Sequence, residues 1–472
     1  MRGRFGLGLL GLLCVAPANS QYFQRLGNGL RSPQGWGMFA DSTGVYYLGG
    51  SAGEVNGVTS PGVIRWDGSV FQAVGCGFDW DCTPPMQGGL VNPSRDMVRW
   101  NGDLFACGGF VTSNGVAVNY IARFDGENWV ALGSGMNGEV KGLKAYPDGV
   151  YAAGWFTMAD TVVANGLARW DGTRWHSVHD LPLLQLPWAE VNYISDMAIY
   201  NGEVYISGNF HSGPPSDLHC VARFNGVEWV AVGQGFRGSL TKVLHLDVHD
   251  SLLYLSGAFA DTGQYGHPDN PASGIVAWNG TDWVELGSGT DGASQPWVTW
   301  VDWHNDTLYA AGDYNLIGGV EAGGLAYWDG QRWCALLPGP PNWAVNSLAF
   351  FRDTLYVGGS INVIGEDTLR NTGKWVYGAH VEQCGLPVGM PEAANAVQLV
   401  VPYPVPAQDR LHWHGGPVRA NATVWDAVGR DVLHISAERT NGVDIHGLSR
   451  GVYTLQLQDP GGGVWRARFL KE

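Results

Sequence analysis

The chain has 472 residues, with 70 glycines, 22 tryptophans and only 15% charged residues. That length suits one large repeat domain with an appendage, and the glycine and aromatic excess excludes a disordered chain, which is poor in aromatics and rich in charge. A formal charge of −16 argues against a phosphate-tracking nucleic-acid surface and keeps a tryptophan-rich protein soluble.

Residues 1–20, MRGRFGLGLLGLLCVAPANS, read as a secretory signal peptide. Arg2 and Arg4 precede an apolar run from Phe5 to Val15 that is too short to span a bilayer. Ala18-Asn19-Ser20 supplies small residues for cleavage before Gln21, and Leu13 before Cys14 argues against a lipoprotein box. No other apolar run approaches the length of a membrane span, so none is expected. Export permits disulfides. Cys76 and Cys82 suit a local bridge, Cys334 and Cys384 a second one flanking the last repeat, and Cys107 and Cys220 are expected free and buried. Other pairings stay open.

One unit recurs from Val63 to Trp375. Its clearest copy is IARFDGENWVALGSG, Ile121–Gly135. Further copies begin at Val63, Leu167, Val221, Ile275 and Leu325, with a degenerate one at Gly373. Each is a short apolar strand, an Asp-Gly or Asn-Gly turn and a second strand opening on an aromatic residue. The dipeptide predicts a tight hairpin in which both central residues take positive φ. The aromatic before the turn sits at Trp66, Phe124, Trp170, Phe224, Trp278, Trp328 and Trp375, at intervals of 46 to 58 residues. Spacing of this size marks a repeat architecture.

A second pattern precedes each hairpin, as in MVRWNGDLFACGGF from Met97 and MAIYNGEVYISGNF from Met197. It reads as an inner strand, a polar turn and a strand ending in small residues, often Gly-Phe, where close packing is needed. Each repeat therefore holds four strands. Seven first halves and seven second halves predict a seven-bladed β-propeller over residues 21–385. FQRLGNGL from Phe23 matches an outer strand and precedes any first half. It is expected to complete the last blade and close the ring, which explains the weak seventh copy. The repeats resemble a secreted bacterial propeller family with the pattern LYVGGxF…IARWDGxxWxxLGxG, distantly kelch-like. That resemblance implies a fold and little about function.

Residues 386–396 form a Pro/Gly/Ala-rich linker, after which the period disappears. Residues 397–472 read as a small antiparallel β-sandwich, so the predicted class is all-β throughout. Tyr403-Pro404-x-Pro406, the Asp426-x-x-Gly429-Arg430 turn, Leu448-x-x-Gly451-Val452-Tyr453 and the terminal Arg468-Phe469-Leu470-Lys471 resemble the type A sorting domain of the type IX secretion system. Val405 stands where that family usually has Asn. The resemblance implies a Bacteroidota-type cell, the type IX machinery as partner, and removal of the tail with release or surface attachment.

Motifs for chemistry are weak. Gly49-Gly50-Ser51-Ala52-Gly53 matches GxSxG but ends a strand instead of opening a helix. Gly6-x-Gly8-x-x-Gly11 falls inside the signal peptide. His412 and His414 read as a solvated strand face. No cofactor or metal is expected. The connections between repeats are richer in information. Trp80, Trp188, Trp297 and Trp343 lie there, accompanied by Asp79, Asp81, Glu190 and Asp291. The loops between second and third strands emerge on the same face and add Glu54, Asp160, Asp217, Asp261, Asp269, Glu321, Glu366 and Asp367. Aromatics among acids suit a glycan or a peptide, and the same tryptophans also suit packing between blades. The leading expectation is a non-enzymatic secreted or surface module that binds glycan or protein. The alternatives are a polysaccharide hydrolase or lyase, which needs a spaced carboxylate pair, and a purely structural envelope component.

Overall fold

The structure is a computed structural model. It describes residues 23–30, 37–49, 54–55, 57–79, 93–179, 193–212, 217–238, 240–261, 267–291, 297–336, 344–361, 363–364, 367–376, 383–385, 398–399, 401–403, 407–414, 420–426, 430–437, 442–458 and 464–471. The expected signal peptide and the whole of the linker lie outside these. The chain divides into two compact units, Met1–Leu386 and Pro387–Glu472. All described regular structure is β-strand.

In the first unit seven sheets each hold four strands hydrogen-bonded in the order first, second, third, fourth, and in six of them these follow one another in chain order. Sheet two is representative: Ser94–Trp100, Asp103–Gly108, Ile121–Phe124 and Trp129–Ala131. The first strands of the others are Gly37–Asp41, Val140–Tyr146, Tyr193–Tyr200, Lys242–His249, Trp297–His304 and Val345–Phe351. Sheet seven takes its fourth strand from the N-terminus. Phe23–Arg25 pairs antiparallel with Thr372–Trp375, Phe23 opposite Trp375. Leu30 donates to the Arg370 carbonyl and Asn371 Nδ2 donates to the Leu30 carbonyl, which extends the pairing beyond the strand.

The apolar cores of this unit lie between sheets. One joins Phe105 and Ile121 of sheet two to Leu143 and Trp175 of sheet three. Equivalent cores join every consecutive pair, and a further one joins Phe351 and Tyr356 of sheet seven to Met38, Tyr47 and Trp66 of sheet one. The sequence explains the seams. Five of the fourth strands open on a tryptophan, Trp129, Trp175, Trp229, Trp283 and Trp333, whose indole N–H needs an acceptor, and those of sheets one and seven open on Phe71 and Phe23. Trp129 donates to the Val74 carbonyl at 2.9 Å, Trp175 to Leu132 at 3.0 Å and Trp333 to Leu286 at 2.6 Å, each on the preceding sheet.

The Asp-Gly hairpins differ from the expected two-residue turn. Phe124 pairs with Trp129, which leaves a four-residue connection. The Asp125 carboxylate accepts from the amides of Glu127 and Asn128, and within the connection only Gly126 takes a positive φ, 106°. Aspartate serves here as a side-chain cap on the turn, so only the glycine position needs the left-handed region. Asp67, Asp171, Asn225, Asn279 and Asp329 do the same.

The exit of this unit is stapled. Gln383–Cys384 adds a fifth strand to sheet six, and Cys334 and Cys384, opposite each other in register, form a disulfide. Cys76 is disulfide-bonded, and Cys82, its expected partner, lies outside the described residues. Cys107 and Cys220 are free and buried.

The second unit has a five-stranded and a three-stranded sheet sharing one core around Leu411, Trp413, Val424, Leu455, Leu457 and Phe469. Among the described residues its strands pair antiparallel, except that Gln398–Leu399 runs parallel to Val464–Lys471 and Ala407 makes a parallel bridge to Lys471.

Candidate functional site

The first strands run side by side, start beside start and finish beside finish. At the finishing end Arg99 pairs with Asp41, Trp100 Nε1 donates to the Tyr146 carbonyl at 2.8 Å, and Tyr200 donates to the Ser251 carbonyl at 2.8 Å. His249 faces Asp306 at 3.7 Å and His304 faces Asp353 at 3.5 Å. Ties between neighbouring sheets account for the chemistry of this end.

The starting end is different. From sheet two to sheet seven each first strand carries a register shift one or two residues in, so that Arg95, Lys141, Ser195, Leu244, Thr299 and Asn346 are extra residues. A bulge re-aims the side chain it carries. Arg95 Nε meets Glu139 Oε1 at 2.9 Å, and Lys141 Nζ meets Glu139 Oε2 at 2.6 Å. Burial works against the Glu139 charge, but Arg95 and Lys141 outweigh it and hold its carboxyl below the ordinary range. Lys141 also lies over the Tyr193 ring at 5.2 Å, and Lys242 over the Trp297 ring at 5.6 Å. Trp155 follows the second strand of sheet three, donates its amide to the Glu139 carbonyl, and leaves 54% of its surface exposed. The result is a rim of aromatic faces, amines and a carboxylate.

Further along the first strands lies a cluster of charge. Asp196, 5% exposed, accepts from the amides of Met197 and Leu246 and from Lys144 Nζ at 3.2 Å. Burial disfavours the Lys144 ammonium, yet Asp196, Asp247 and Asp96 together hold its pKa above the ordinary lysine value. Burial likewise works to raise Asp196, and Lys144 and His245 pull it below the usual carboxylate range. Burial, with a smaller contribution from Asp247, pushes Asp302 up to about 7. Lysine and aspartate tie neighbouring first strands together here, since the Asp96 carboxylate also accepts the Leu143 amide.

Of the residues expected at the binding face, Trp297 opens the first strand of sheet six at this rim, half-buried beside Lys242. Asp79 has its carboxylate taken up by the amides of Val111 and Thr112, at 2.7 and 3.1 Å. Asp291 is exposed and lies in a strand paired with Leu316–Ile317. Trp80, Asp81, Trp188, Glu190 and Trp343 lie outside the described residues. Among the second-to-third-strand acids, Asp160 accepts from the Ser134 amide and hydroxyl, and Asp217 faces His219. Sequence reasoning missed Arg95, Glu139, Lys141, Trp155, Tyr193 and Lys242. The available signal was Trp155, the one bulky residue in the middle of a Gly-x-Phe where other repeats carry Gly109, Asn209 and Ala258.

In the second unit Tyr403 lies in a strand opposite His412. Arg430 donates its amide and guanidinium to Asp426, closing the turn. Gly451 opens the strand opposite Lys471. Tyr453 stacks on Phe469 at 5.7 Å and donates to the Ser449 carbonyl. Pro404, Pro406 and Gly429 lie outside the described residues.

Residues 402–471 match a family model described as a secretion system C-terminal sorting domain. This tail belongs to the type IX route and marks a protein secreted or attached to the outer-membrane surface. It implies contact with the type IX machinery. No curated protein matches the chain. Among solved structures, the extracellular domain of BT4673 from B. thetaiotaomicron is similar at 12% identity and TM-score 0.42, covering 96% of this chain and 57% of that one. PorZ, a surface component of the type-IX secretion system of Porphyromonas gingivalis, is similar at 12% identity and TM-score 0.35, covering 92% and 69%. This chain thus spans little more than half of the first. Likenesses of this size carry no inference about role. No helix among the described residues is long and apolar enough to cross a membrane.

Proposed function

We propose that residues 21–385 form a seven-bladed β-propeller that binds glycan, without turning it over, at the end where its first strands start. The propeller reading is supported by the cycle of cores between consecutive sheets and by the N-terminal strand that completes sheet seven. The observation that carries the binding reading is Trp155, more than half exposed beside the Glu139, Lys141 and Arg95 cluster. A sugar ring offers an apolar face to an aromatic side chain and hydroxyls to charged donors and acceptors. The formal charge of −16 favours a neutral polysaccharide over an acidic one. Export by the signal peptide and the type IX tail puts this surface outside the cell.

The test is retention of the purified chain on immobilised neutral polysaccharides. Trp155→Ala is expected to weaken retention about two- to tenfold, the scale of losing one aromatic stacking contact, with thermal melting unchanged. Unchanged retention in both Trp155→Ala and Trp297→Ala sinks the reading. Binding confined to a parallel peptide array would move it to a protein ligand, and release of soluble sugar would move it to an enzyme.

A further inference from the structure

We propose that His211 and His219 in sheet four form a two-imidazole site for a divalent late transition metal, copper(II) before nickel or zinc. The two residues are opposite each other in register between the second strand, Glu203–His211, and the third, His219–Phe224. Their Nδ1 atoms lie 2.9 Å apart, with the rings inclined at 65°. His219 Nε2 lies 3.1 Å from Asp217 Oδ1, and Asp217 Oδ2 lies 3.6 Å from Arg237 Nη2.

The hydrogen bonds fix the tautomers. Asp217 accepts from His219 Nε2–H, which leaves a lone pair on His219 Nδ1. The proton between the rings therefore sits on His211 Nδ1. A carboxylate on the far nitrogen of a histidine is the support that metal-ligating imidazoles use, because it sets the tautomer and raises ligand basicity. His219 is thus already in the metal-binding form. His211 reaches it by moving its proton from Nδ1 to Nε2, so binding needs no net proton release. Both rings then turn until their lone pairs converge on the ion.

A spacing kept near 2.9 Å as the rings turn would select the metal. Two nitrogens 2.9 Å apart, each about 2.0–2.1 Å from one ion, subtend about 90°. That is the cis angle of a tetragonal or octahedral site, whereas a tetrahedral ion needs the nitrogens about 3.3 Å apart. Tetragonal nitrogen sites suit copper(II) and nickel(II), and affinity rises to copper along the divalent series.

Comparison between repeats shows that the pair is not part of the scaffold. The two positions are Val111 and Asn119 in sheet two, Thr157 and Asn165 in sheet three, Ala260 and Ser273 in sheet five, and Asn315 and Gly323 in sheet six. Asn119 does local work there, donating to the Ser134 carbonyl. Sheet four alone among these puts an imidazole at both facing positions.

The experiment is copper(II) titration of the full chain, followed by electron paramagnetic resonance. The expected result is one bound equivalent with nitrogen couplings from two imidazoles. His211→Asn and His219→Asn should each abolish it, and Asp217→Asn should weaken it about 10–100-fold. His434→Asn, at an exposed histidine of the tail, should leave it intact. Zinc should compete poorly. Binding indifferent to both histidine variants, or a spectrum from a single imidazole in the unaltered chain, overturns the proposal. The second readout needs no variant, so a folding defect cannot hide the answer.

Discussion

Phe23→Ala tests the closure by the N-terminal strand. Phe23 is fully buried and meets the Trp375 ring edge-on, with centroids 5.1 Å apart. Replacing a buried phenylalanine by alanine costs about 3–5 kcal/mol, of which the aromatic pair supplies about 0.5–1.5. If the strand closes a ring, that loss falls first on local opening of sheet seven. Amide exchange over Thr372–Trp375 and at Leu30 should then accelerate by about 10²–10⁴-fold, at 1.4 kcal/mol per factor of ten. Phe71→Ala is the matched control, since Phe71 is buried on the fourth strand of sheet one and meets Trp66 at 4.9 Å. It should cost a similar amount without freeing Thr372–Trp375. Equal exchange over Thr372–Trp375 in both variants, or a loss below about 1 kcal/mol in Phe23→Ala, refutes the closure argument.

Three further outcomes are expected. Cys384→Ser opens a link across a sequence separation of 50 residues, for which chain entropy gives about 4 kcal/mol. Denaturant unfolding should lose up to that amount, and protease cleavage should appear near Gln383 first. Trp333→Phe leaves the buried Leu286 carbonyl without its donor, at a cost of about 1–3 kcal/mol read from the denaturation midpoint. Asp302 binds its proton more tightly folded than unfolded. Its contribution is therefore complete below the unfolded value near pH 4 and lost as pH rises through about 7. Asp302→Asn should flatten the fall in stability between those limits, and an unchanged slope would remove Asp302 as its source.

The scaffold was largely legible because it repeats. The period located each hairpin, the stray strand at Phe23 announced its partner at Trp375, and cysteines flanking the last repeat pointed to Cys334–Cys384. The turn type was not legible, since Asp-Gly has the same letters whether aspartate takes a positive φ or caps the turn with its carboxylate. The site was less legible still. Asp79 reads as a loop acid, and only the positions of the Val111 and Thr112 amides show its carboxylate already engaged. No pattern in the sequence marks Arg95 and Lys141, and the bulges that turn them onto the rim follow from sheet packing. Expecting function where the period breaks also drew attention away from Trp155, which sits within it.

The most direct measurement of the central claim is hydrogen exchange of the full chain with and without a polysaccharide that it retains. The account predicts slowed exchange at the starts of the first strands and beside them, over Ser94–Met97, Val140–Leu143, Gly154–Phe156 and Val298–Val301. It predicts no change at the finishing turns around Asn101, Asn201, Asp250 and Asn305. Protection at those turns, or confined to the tail beyond Pro387, would contradict it.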